Sequence, residues 1–102
     1  MEYRYFEVML DDGYSICIKG TRKPSVDEAA AFLSENDLKG RKVVYVEEWD
    51  RRDAETAFDF EREADWPVFA GESQRSGYGA VVKYDEGKKM LYVNVPAACD
   101  MW

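Results

Sequence analysis

Runs rich in aromatic and β-branched residues lie toward both ends of the chain, and apolar positions follow a helical spacing between them. In "RYFEVMLDDGYSICIKG", two runs rich in aromatic and β-branched residues flank an Asp-Gly turn signal, which predicts a β-hairpin. Its register follows from the faces. A two-residue loop at Asp12-Gly13 sets Phe6, Val8 and Leu10 opposite Lys19, Cys17 and Ser15, mixing apolar with polar. A three-residue loop, Asp11-Asp12-Gly13 with Gly13 left-handed, pairs them with Ile18, Ile16 and Tyr14, and one face becomes wholly apolar. The three-residue loop is therefore expected. The opposite face carries Tyr3, Tyr5, Glu7, Met9, Ser15, Cys17 and Lys19, open to solvent or to a partner.

In "KPSVDEAAAFLSENDLKG", Ser25 and Glu28 have capping-box spacing, and Val26, Ala29, Ala30 and Leu33 follow at i, i+3, i+4 and i+7. A helix is predicted there, with Gly40 as its stop, and "RKVVYVEEW" reads as a third strand crossing the core. Next comes "EEWDRRDAETAFDFEREAD", residues 47–65. Asp50 or Asp53 can cap a helix in which Ala54, Ala57 and Phe58 form a narrow apolar stripe. On that helix Glu55, Asp59 and Glu63 stand four apart on one line, a spacing at which like charges repel by a few tenths of a kcal/mol per pair. Trp66-Pro67 ends the segment, because the residue before a proline avoids the helical region.

"GESQRSGYG" reads as a loop, and "AVVKYDEGKKMLYVNV" as a second hairpin turning at Asp85-Glu86-Gly87. Its apolar pattern leaves the register open: a three-residue loop pairs Val82 with Met90, and a longer one pairs it with Leu91. The order β-β-α-β-α-β-β predicts an α+β fold of two layers, an antiparallel or mixed sheet with the helices on one face. Residues 1–102 are expected to form one domain, since a chain of 102 residues builds a single core.

Charge changes this picture at one place. The net charge is −7, and residues 47–65, with nine carboxylates and three arginines, hold −6 of it. The acidity is local. The N-terminus lacks a basic segment followed by a long apolar run, and no stretch is long and apolar enough for a membrane span, so a cytoplasmic protein is expected. Cys17 and Cys99 lack CxxC spacing and read as two free thiols in a reducing compartment.

The chain has no histidine, which removes the commonest general base and the usual zinc ligand. An enzyme would have to use carboxylates, a thiol or tyrosines. Glu47 and Glu48 are adjacent on a strand, point to opposite faces and cannot share one substrate. "SGYG" is not followed by the Lys-Ser/Thr pair and helix of a phosphate loop, and Asp11-Asp12-Gly13 lacks the remaining ligands of a calcium loop. No catalytic residue, metal site or cofactor is expected. Stacking of nucleic acid on Tyr3 and Tyr5 beside Arg4 and Lys19 is opposed by the acidic charge, and the basic clusters Lys19-Arg22-Lys23 and Lys39-Arg41-Lys42 are small.

"DGYSICIKGTRKPSVDEAAAFL" resembles the start of small proteins carried by phages and conjugative elements, in which a D-G hairpin leads into an E-A-rich helix. The resemblance covers about a third of the chain. It implies a cytosolic accessory protein of a mobile element, a class that includes inhibitors of host nucleases such as anti-CRISPR proteins acting as nucleic-acid mimics. It assigns no residue a role.

The expected function is that of a non-enzymatic acidic protein that binds a basic surface on a nucleic-acid-processing effector, using Glu47, Glu48, Asp50, Asp53, Glu55, Asp59, Glu61, Glu63 and Asp65. The alternative is a self-associating module, possessing a homodimer contact through Tyr3, Tyr5 and Met9 or the edge of the second hairpin, with the acids serving solubility.

Overall fold

The computed structural model describes residues 3–33, 38, 40–60, 63, 66–69 and 81–94. The elements run β1 (Arg4–Leu10), β2 (Ser15–Gly20), α1 (Val26–Phe32), β3 (Val43–Trp49), α2 (Arg51–Ala57), the two-residue β4 (Val68–Phe69), β5 (Val81–Asp85) and β6 (Met90–Asn94). The fold is α+β around a mixed sheet of order β3-β1-β2-β6-β5, with β4 also pairing β2. The β1–β2, β1–β3 and β5–β6 pairs are antiparallel, and β2–β4 and β2–β6 are parallel.

The first hairpin has the expected register. Phe6 faces Ile18, Val8 faces Ile16, and Gly13 adopts φ +89° in the three-residue loop. The Tyr14 amide donates to Asp12 Oδ1 at 3.1 Å, closing the turn through a side chain.

At α1 the capping box is complete: the Glu28 amide donates to Ser25 Oγ at 3.1 Å, and the Ser25 amide donates to Glu28 Oε1 at 3.0 Å. α1 ends at Phe32, with Leu33 extended at its C-cap. Gly40, expected as the stop, is left-handed at φ +83°.

The second hairpin takes neither register considered from sequence. Val82 pairs with Val93 and Tyr84 with Leu91, leaving residues 86–89 as a four-residue loop. Lys89, not Gly87, is left-handed at φ 56°, so the chain turns two residues later than the Asp-x-Gly signal implies.

The helices lie on opposite faces of the sheet, not on one. On the first face Phe6, Val8, Leu10, Ile16, Ile18, Leu91 and Val93 pack with Ala29, Phe32 and Leu33 at α1. On the second, Tyr5, Cys17, Met90 and Tyr92 pack with Ala54 of α2, Phe58 and Trp66. The face that the sequence left open to solvent is thereby covered. β2 is buried along its whole length, Ser15 and Lys19 included, because its polar side chains find internal partners. Glu7 Oε2 accepts from Ser15 Oγ at 2.7 Å, and Lys19 Nζ donates to the Glu63 carbonyl at 2.9 Å.

β3 lies at the sheet edge and does not cross the core as expected. Only Val46 of its seven residues is buried. A register shift between Met9 and Leu10 sets Val8 opposite Val46, Met9 opposite Tyr45 and Leu10 opposite Val43, so Val44 is the extra residue of a β-bulge.

Candidate functional site

The acidic segment begins on the edge strand and passes through α2 into irregular chain. Asp50 is the N-cap of α2, its Oδ1 accepting from the Asp53 amide at 2.9 Å. Asp53 itself stands exposed in the first turn, where a negative charge is favoured by the helix dipole.

The expected line of Glu55, Asp59 and Glu63 on one helix does not exist. α2 stops at Ala57, and Phe58 turns extended at φ −107°, ψ 161° so that its ring joins Trp49 and Trp66. Burial of an aromatic ring outweighs continuation of a helix with so narrow an apolar stripe.

Each carboxylate consequently has its own setting. Glu48 forms a two-pronged ion pair with Arg4, with contacts of 2.7 and 2.8 Å, and the hydrogen bond from that guanidinium holds its carboxyl below the usual range. Glu47 lies on the other face of β3, opposite Glu7, and is exposed. Glu55 accepts from Arg51 Nε at 2.7 Å, one turn earlier on α2. Asp59 is half-buried, and its amide donates to the Tyr92 hydroxyl at 2.7 Å.

Glu63 turns inward. Its Oε1 accepts from Lys19 Nζ at 3.1 Å and from the Tyr5 hydroxyl at 3.3 Å, tying the irregular segment down onto the sheet. Glu61 and Asp65 lie outside the described residues. Of the nine expected binding residues, Glu47, Asp50, Asp53 and Glu55 form an exposed run from the end of β3 into α2, while Glu63 serves the fold.

The other candidates are absorbed by the structure. Tyr5 and Lys19 are buried, so the proposed stacking surface is covered, and Arg4 is held by Glu48. Arg22 reaches Glu28 and the ring of Phe69, and Arg41 reaches Asp12 and the ring of Tyr14. Cys17 is a free, buried thiol, pushed well above its usual pKa by burial first and by Glu7 second; Cys99 lies outside the described residues.

Tyr92 is also raised, by burial and then by Cys17. Its hydroxyl donates to Met90 Sδ at 3.4 Å. Among the described residues no group of three or more Asp, Glu or Cys side chains is arranged to hold a metal ion, and no helix is long and apolar enough to cross a membrane.

One feature of the site is not among the residues expected from sequence. Val44 and Tyr45 are 51% and 43% exposed, large apolar side chains standing next to Glu47 on the sheet edge. The run "VVYV" carries the signal, but consecutive apolar residues are equally ordinary in a core strand, so the pattern alone does not separate an exposed edge from a buried strand. Comparison with known protein families, curated proteins and solved structures returned no match.

Proposed function

We propose that this chain is a non-enzymatic binding protein whose acidic surface occupies a basic surface of another protein. The observation that carries this reading is the exposed run Glu47, Asp50, Asp53 and Glu55 on a chain that concentrates its negative charge in that segment. Such a surface attracts cationic partners from a distance and selects against acidic ones.

The partner class is a nucleic-acid-processing effector, such as a CRISPR nuclease, whose groove is basic because it holds phosphate. The resemblance of residues 12–33 to proteins of mobile elements supports that class. The broken helix argues against a straight row of charges copying phosphate spacing, so the surface competes for the groove by field and shape rather than by periodicity. Self-association through Tyr3, Tyr5 and Met9 loses support, because Tyr5 is buried under Phe60 and Trp66.

The test is a titration against purified basic nucleases, with Glu47→Gln, Asp50→Asn, Asp53→Asn and Glu55→Gln combined in one variant. Asparagine at position 50 keeps a cap, and Glu63 is left intact because it holds Lys19. Binding should weaken on the order of tenfold in the variant, and again as ionic strength rises from about 0.05 to about 0.5 M. Binding indifferent to both overturns the reading.

A further inference from the structure

We propose that the outer edge of β3 over residues 45–49 accepts an extended, lysine-containing segment of the partner as an added strand. This rests on the reading above and adds to it a mode of engagement.

Among the described residues, β3 ends the sheet, with β1 on one side and no strand on the other. A strand edge presents unpaired amides and carbonyls, a ready template for another chain. The usable stretch is bounded on both sides. At one end the bulge at Val44 breaks the ladder, and at the other Asp50 turns the chain into α2.

The carboxylates decide the occupant. Glu47 and Glu48 are neighbours in sequence but point to opposite faces, so no flat surface and no single helix reaches both. An extended chain alongside β3 reaches both, because its own successive side chains also alternate between faces. Two adjacent lysines then place one ammonium beside Glu47 and the other beside Glu48.

Glu47 already stands opposite the buried carboxylate of Glu7, a pairing of like charges that a cation on the same face relieves. Glu48 shares its charge with Arg4 and contributes the weaker contact. Tyr45 and Val44 offer apolar cover for the flanking β-branched residues of the incoming strand. A second copy of this chain suits the edge poorly, since it would bring its own Glu47 and Glu48 on a molecule of net charge −7.

The experiment uses the intact protein and a fluorescein-labelled peptide, Thr-Val-Lys-Lys-Val-Thr-Val, followed by fluorescence anisotropy and by amide chemical shifts. Two further peptides carry N-methyl groups on alternate sets of backbone amides. Successive amides of a strand point to opposite edges, so one methylated form loses the bonds to β3 and the other does not.

The expected result is saturable binding by the parent peptide and a loss of about tenfold or more in one methylated form only, each such loss corresponding to about 1.4 kcal/mol. Shifts should be centred on residues 45–49, and Glu47→Lys should weaken the parent peptide at least several-fold. Equal binding by the two methylated forms, with shifts on α2 instead, overturns strand addition and leaves the acidic-surface reading standing. Absence of binding by all three peptides overturns strand addition as well. So does a concentration-dependent dimer that Tyr45→Lys dissolves, which would give the edge to a second copy.

Discussion

Lys19 and Glu63 show how an acidic residue in a charged run can belong to the fold. The Lys19 side chain is 6% exposed and that of Glu63 22%, so each needs the other more than a surface pair would. Glu63→Gln should destabilise the protein by about 1.5 kcal/mol in urea unfolding, the low end of the range for a hydrogen bond to a charged partner, since the Glu63 carbonyl still accepts from Lys19. Cys17 is a different case, a neutral buried thiol packed beside Met90 and Tyr92. In a Cys99→Ser background, Cys17 should resist a thiol-specific reagent at pH 8 in the native state and react fully in denaturant, as burial keeps it protonated. Glu28 links a single residue to pH. The hydrogen bond from Arg22, and then that from the Ser25 amide, lower its carboxyl from 4.5 to about 2. A folded value below the unfolded one gives stability that is present above about pH 4.5 and lost as pH falls through about 2. Glu28→Gln should therefore be less stable than the parent at pH 6 and match it near pH 2, as urea midpoints across that range would report.

At the scale of elements, β2 and β4 depend on a residue without a side chain. A Cβ on Gly20 would stand 2.3 Å from the Phe69 carbonyl oxygen, so the parallel pairing of β4 onto β2 requires glycine there. Gly20→Ala should cost about 1–3 kcal/mol by thermal or urea unfolding, with the loss of protection concentrated at the Thr21 amide, which donates to that carbonyl. The elements whose causes are local were readable from residue order. The turn at Gly13, the capping box Ser25/Glu28 and the Asp50 cap each rest on side chains within three residues of the backbone they serve. The second hairpin was readable but its register was not, because its left-handed residue is Lys89, a type that gives no turn signal. The end of α2 was hidden for a different reason. Phe58 leaves the helix to join Trp49, Trp66 and the rest of a ring cluster whose members come from distant parts of the chain.

For the whole molecule, the misplaced helix layer has one source. Glu7, Ser15 and Lys19 are residue types that mark a solvent face, yet they line an inner one because Ser15 satisfies Glu7, and Glu63 arrives from forty-four residues away to satisfy Lys19. The acids were legible as a group, since charge density is a property of sequence, whereas their separation into exposed and structural members required knowing where α2 stops. β2 also carries a consequence for assembly of the fold. Its outer edge is shared by β6 at Ser15 and Ile16 and by β4 at Lys19 and Gly20, partners that follow it by roughly fifty residues or more. The first hairpin can close as soon as it is made, but β2 stays open along one side until residues 68–69 and 90–91 have been made. During synthesis, therefore, a strand that the finished fold buries along its whole length waits half-paired at the ribosome, and the rate of folding should be set by the late arrival of residues 90–91.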